Sequence, residues 1–334
     1  MREFRRRRFA LFVFSALIVA MGSFAFAGGN AASEVGRTGA GNHPGPLAGL
    51  IYVLDSNNHR VQIFDRKGVY QSTFGHSFDS PSGIALYARS KVYVKDGNNN
   101  CEAEEFDSQG KYLLQFGICA HGVTGLGIFD NIGALAVAGP DVWVSSPDFY
   151  YIQKVDSLGN FLGIVCMNAG VTDCPPATAF PVQPYGIALD RNGSIFVTNV
   201  YPSGYNVVKF DQRGNFLSAF GSTGSGDGQF NYPVGIGIDP SGNIYVVDTG
   251  NSRVQKFDQN GTYQSQFGSF GSGDGQFNFP TGIAFDTAGG IYITDTGNNR
   301  VQKFDHSGIY QNQFGSYGQG NGQFFGPTGI AITK

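Results

Sequence analysis

Charge is scarce in this sequence. Its 334 residues hold 22 Lys and Arg against 25 Asp and Glu, a formal net charge of −3. Five of the arginines, Arg2 and Arg5 to Arg8, crowd the N-terminus beside Glu3. Without residues 1–27 the formal charge falls to −7, and the remaining basic residues are scattered singly. Phosphate backbones are held by clustered Lys and Arg. The composition therefore excludes a nucleic-acid partner for the rest of the chain.

Recognisable catalytic machinery is missing as well. There is no G-x-S-x-G elbow and no evident nucleophile–base pair. G-S-G-D-G-Q-F, at 224–230 and 271–277, looks like a phosphate loop but has no lysine or helical pattern after it. It reads as a connector. Long apolar runs are absent too, except Phe9 to Met21, which is too short to span a bilayer comfortably. The arginines precede it and Ala25-Phe26-Ala27 follows it, the layout of a secretory signal peptide cleaved after Ala27. An uncleaved anchor is the alternative. Residues 28–48, rich in Gly, Ala and Asn, read as a flexible leader.

What the chain has is a sentence written six times. Its clearest copy runs P-T-G-I-A-F-D (280–286), I-Y-I-T-D-T-G-N-N-R-V-Q-K-F-D (291–305) and Q-F-G (313–315). Copies of the I-Y-V-like triplet begin at Ile51, Val92, Val142, Ile195, Ile244 and Ile291, at spacings of 41, 50, 53, 49 and 47. Each unit reads as four short strands separated by Asp, Asn and Gly turns. That period predicts an all-β fold, a six-bladed β-propeller of four-stranded blades.

The ends complement each other. Leu50 to Leu54 is a second strand with no first strand before it, and Pro327 to Ile332 is a first strand with nothing after it. Joining them closes the ring and removes two open edges. Blade one is then 327–334 plus 49–75. The others are 81–117, 131–165, 184–221, 233–268 and 280–315, all within a propeller domain spanning 49–334.

The pattern D-x-x-N-x-R-V-Q-x-F-D, at Asp55–Asp65, Asp248–Asp258 and Asp295–Asp305, resembles the NHL repeat. The resemblance implies a six-bladed propeller and a range of roles. NHL domains bind RNA or protein in animal regulators, act as sensor domains outside bacterial receptor kinases, and form one peptide-amidating lyase branch. The acidic balance argues against carrying over the RNA role.

Candidate chemistry is sparse. Ser82, Ile132, Tyr185, Val234, Thr281 and Thr328 are placed by the repeat near the mouth of the central channel, and none is a carboxylate or histidine. Asp55, Asp96, Asp248 and Asp295 recur at one phase, with Ser146 and Asn199 in the other blades. A calcium ring is one reading of them. Caps of their own turns, paired with Arg60, Arg253 and Arg300, is the reading that repetition favours. His76 and His121 share one face and form a weak metal candidate. Cys101 with Cys119, and Cys166 with Cys174, are expected disulfides in an exported chain, with metal binding as the rival.

Function is expected where the repeat breaks, on the loop face of blades two to four. Glu102 and Glu104 replace the usual R-V-Q pattern in blade two, Tyr150 and Tyr151 stand in blade three, and Tyr201 and Tyr205 in blade four. Rings beside carboxylates suit a protein, peptide or glycan ligand. The expectation is an exported, extracellular or periplasmic, monomeric binding or scaffold propeller. It needs no cofactor, calcium being the alternative, and no membrane once the signal is removed. The competing class is a metal-assisted lyase or lactonase working in the channel.

Overall fold

The computed structural model describes residues 49–334 except 76, 77, 80, 88, 89, 97–101, 120–126, 130, 131, 167–181, 201–203 and 205, and the side chains of 118, 119 and 166. The expected signal segment, the leader, His76, His121 and all four cysteine side chains lie outside the described residues.

Six four-stranded antiparallel sheets follow one another in chain order. Blade five shows the pattern: Pro233–Ile238, Ile244–Asp248, Arg253–Phe257 and Tyr263–Phe267. Each strand pairs with the next in sequence, as short hairpin turns dictate. Blade one is assembled from both ends. Pro327–Ile332 pairs antiparallel with Ile51–Asp55, in the register Ile51↔Ile332, Tyr52↔Ala331 and Val53↔Ile330. Two backbone bonds extend the seam, Gly49 N to Thr333 O and Thr333 N to Leu50 O, both 3.0 Å. The ring closes as the sequence predicts.

The core is divided in six, one apolar cluster between each pair of adjacent blades. Between blades five and six, for example, Tyr245, Val247 and Val254 pack against Phe285, Ile291, Ile293 and Phe304, with Phe277 from the connector. A blade therefore buries both sheet faces, and its second strand reads as buried throughout (Ile244–Asp248, Ile291–Asp295). On the third strand, Lys256 and Lys303 lie over the rings of Tyr245 and Tyr292, 5.3 and 4.9 Å from their centroids.

The glycine of the P-x-G-I motif sets the width of the channel. A Cβ on Gly186, Gly235 or Gly282 would meet a first-strand carbonyl of the next blade at 2.2, 2.2 or 2.4 Å. First strands approach that closely only without a side chain between them. Behind them Ser145, Thr198 and Thr294 donate hydroxyl hydrogen bonds to Tyr185 O, Val234 O and Thr328 O, fastening each blade to its neighbour.

Candidate binding face

Connectors between blades and the turns between second and third strands share one face, where backbone bonds join them. Gly250 N donates to Asn231 O and Gly297 N to Asn278 O, both at 2.8 Å. The channel opens here. It encloses about 210 Å³ and is lined by Ser82, Tyr185, Val234, Thr281, Thr328 and the P-x-G-I backbones. Blade three differs from expectation: Ile132 is fully buried in the core between blades two and three, and Gly133 to Leu135 reach the channel instead. No carboxylate or imidazole lines the channel among the described residues. The opposite side holds a wider cup of about 660 Å³ that includes Asp190, Asp239 and Asp286. Those carboxylates are committed to their own hairpins, Asp239 accepting from Ser241 N and Asn243 N.

The recurring aspartates hold the connectors in place. Asp248 Oδ2 accepts from Arg253 Nε at 2.8 Å, Asn251 Nδ2 at 2.8 Å and Gln255 Nε2 at 3.2 Å. Its Oδ1 accepts from Asn231 N, in the incoming connector, at 2.7 Å. Arg253 in turn donates to Gly226 O and Gln229 O of that connector. Asp295 and Asp55 repeat the arrangement with Arg300 and Arg60. One part of the expectation needs correcting, because none of the three side chains caps its own turn. The carboxylate accepts from the turn's Asn side chain and reaches across to the N–H of the neighbouring connector. Oδ2 of Asp248 already holds three donors, so a cation on that oxygen would have to displace one of them, the arginine included. Among the described residues no three His, Cys, Asp or Glu side chains form a group that could hold a metal.

The register explains the irregular blades. Glu102 pairs with Asp96, Tyr151 with Ser146 and Asn206 with Asn199, where blades one, five and six pair Arg with Asp. Glu102 and Glu104 are half-buried on the third strand of blade two. Tyr151 is a correction. It is fully buried, packs against Phe129 and Phe149, and its hydroxyl donates to Ile128 O, so it replaces the fastening arginine and is no ligand contact. Gln153 completes the substitute, donating to Ile128 O and accepting from Gly127 N. Tyr150 is half-buried with φ +57°, the left-handed turn position that His59, Ser252 and Asn299 occupy elsewhere. Tyr201 and Tyr205 lie outside the described residues. Among the described residues, Glu102 and Glu104 have for a neighbour not the expected tyrosines but the exposed Tyr112 of the outer strand.

Exposed aromatics gather elsewhere on the same face, in positions the sequence reading passed over. Tyr232, Phe270, Phe279, Tyr317 and Phe325 are 40–73% exposed, all on the connectors 221–232, 268–279 and 315–326. Tyr232 touches Tyr185 at the channel mouth, ring centroids 6.2 Å apart, and Tyr317 meets Phe325 edge-on at 5.5 Å. The signal was the glycine-rich connector itself. Connector 268–279 carries three Phe, of which Phe277 is buried and Phe270 and Phe279 are not, and composition alone does not tell them apart.

A ring of six four-stranded blades closed by its two termini defines a six-bladed β-propeller. The family model for the NHL repeat matches residues 48–64, 230–257 and 277–304, where the Asp–Asn–Arg–Gln network is complete. The matched repeats and the six-bladed ring together support an NHL-repeat β-propeller. It is 29% identical over 216 residues to human NHL repeat-containing protein 3, covering 63% of this chain and 48% of that protein. It is 27% identical over 168 residues to the Drosophila melanogaster protein brain tumor, covering 48% of this chain and 15% of that protein. The matched stretch is thus half or less of either relative's own length. Among solved structures, a chain from the nidogen/laminin complex superposes with a TM-score of 0.62 at 14% identity, covering 85% of this chain and 98% of its own. A streptogramin B lyase structure does so with a TM-score of 0.52 at 16% identity, covering 70% and 68%. At those identities the likeness is one of fold.

Proposed function

We propose that this protein is an exported, non-catalytic propeller that binds a protein partner through its connector face. The observation that carries the reading is the set of five exposed aromatic side chains on connectors pinned by buried Asp–Arg networks. Large rings on rigid backbone give contact area at low entropic cost. The fold relatives agree in kind, since a similar propeller is found in a nidogen/laminin complex. Export rests on the arginine-led segment 2–21 and Ala25-Phe26-Ala27.

The test uses the full chain expressed with its own N-terminus. Fractionation and N-terminal sequencing are expected to find a mature chain beginning at Gly28 outside the cytoplasm. A chain retained inside with Met1 intact would overturn export. Phe270→Asp on the connector face is expected to abolish co-purification of a partner that Leu162→Asp, on the outer strand of blade three, retains. Equal retention by both variants would place binding off this face.

A further inference from the structure

Tyr232 and Phe279 are held at φ +54° and +50°, each directly before a proline. The left-handed region is costly for a bulky side chain, and a following proline favours extended backbone. At the equivalent place in the third connector the chain uses the cheap residue, Gly326, at φ +63°. Backbone strain of this kind persists where a side chain is needed for something other than folding. Phe279 is 63% exposed, so packing does not account for it, and Tyr232, in ring contact with Tyr185, still leaves 42% of its surface to solvent.

The charge around them has one sign. Connectors 221–232, 268–279 and 315–326 contain Asp227 and Asp274 and no Lys, Arg, His or Glu. Both aspartates are exposed. Each lies near a tyrosine hydroxyl and adds to burial in raising its pKa, Asp227 that of Tyr263 and Asp274 that of Tyr310. The arginines that reach into the connectors from beneath are committed to Asp and to connector carbonyls: Arg253 and Arg300 are buried, and Arg60, 16% exposed, is held by Asp55 and by Gly320 O and Gln323 O. What faces solvent is an arc of aromatic faces with carboxylates and no uncommitted cation.

Resting on the binding-face reading above, we propose that this arc docks a basic, extended protein segment. Its Arg or Lys side chains lie over Phe270, Phe279, Tyr232 and Tyr317, and its charge is met by Asp227 and Asp274. A cation over an aromatic face is attracted by the ring quadrupole, and opposite surface potentials select the partner and speed its capture.

The experiment is titration of the mature protein, by fluorescence anisotropy, with three labelled 12-residue peptides that place Arg, Glu or Ser at alternate positions between Gly and Ser. Chitohexaose is titrated separately by calorimetry. The Arg peptide is expected to bind, at least tenfold tighter than the other two, and to weaken as salt is raised from 50 to 500 mM. Phe279→Gly with Tyr232→Gly is expected to weaken it at least fivefold without lowering the thermal midpoint, because glycine relieves the strained backbone. Asp227→Asn with Asp274→Asn, both exposed, is expected to weaken it similarly and flatten the salt dependence. A thermal midpoint that falls by 5 °C or more in the glycine double variant would make the rings structural and overturn the proposal. Tighter binding of the Glu or Ser peptide, still lost in the glycine variant, would overturn the basic partner but leave the binding face standing. No binding of any peptide together with direct binding of chitohexaose in calorimetry, or self-association through the arc in sedimentation, would overturn both.

Discussion

Arg253 Nε lies 2.8 Å from Asp248 Oδ2, with the two side chains 9% and 0% exposed. Removing one partner of such a pair strands the other charge out of water, at a cost of about 3–5 kcal/mol. Asp248→Asn should therefore lower the free energy of unfolding by about 3 kcal/mol in urea titrations. Asp96→Asn should cost less, about 1 kcal/mol, since Asp96 faces Glu102 rather than an arginine across its hairpin and shares the support of buried Lys95 with Asp148. Equal costs at the two sites would mean the arginine contributes nothing beyond its hydrogen bonds.

Gly235→Ala tests the channel geometry. Its Cβ would lie 2.2 Å from Thr281 O and 3.0 Å from Val247 Cγ2, both on packed strands. Blades five and six would have to separate, with an expected loss of about 3 kcal/mol or more, at the upper end for overpacking. Gly163→Ala is the control. Nothing lies within 4 Å of its Cβ, and the change should be neutral or stabilising by up to about 1 kcal/mol. Differential scanning calorimetry of both variants decides it.

Much of this was legible because it is local and repeated. The Asp and Arg of D-x-x-N-x-R stand five residues apart across one hairpin, so their pairing follows from strand register alone. Closure was legible because a lone first strand and a lone second strand can complete only each other. The aromatic arc was not. Phe270 and Phe277 belong to one connector and are bridged to each other, yet one is solvent-exposed and the other is core. That choice depends on how the connector turns over the blade beneath it, which no periodicity encodes. Tyr151 was misread for a related reason. Its neighbours Phe149 and Tyr150 made an aromatic run that looked like surface, while its register opposite Ser146 places it in the arginine's buried slot.

Ring closure should be essential to solubility. Deleting 327–334 exposes the edge of Ile51–Asp55 and removes Ile330 and Ile332 from the cluster between blades six and one. Each buried isoleucine contributes about 2–3 kcal/mol, and the bare edge offers unpaired backbone groups to another chain. Sedimentation velocity should show concentration-dependent oligomers or aggregates from the shortened chain. A monodisperse, cooperatively unfolding monomer would show that five complete blades and a partial one suffice.

Stability should pass through a maximum in mild alkali. Lys95 is 5% exposed, and burial lowers its pKa to about 8, with Asp148 and Asp96 opposing the shift. An unfolded lysine titrates near 10.4. Between those values the unfolded chain binds more protons than the folded one, so the free energy of unfolding rises with pH, by up to about 3 kcal/mol. Above about pH 10 the sign reverses. Burial holds Tyr52 and Tyr185 up to about 12, and raises Tyr93, Tyr245 and Tyr292 as well. There the unfolded chain loses protons that the folded one keeps, and stability falls as pH rises. Urea midpoints measured from pH 7 to 11.5 should therefore climb and then drop. Lys95→Met, close in volume and uncharged, should flatten the climb and leave the drop in place. A climb that survives the substitution would assign it to other groups, and Lys95 would then keep an ordinary affinity for its proton inside the fold.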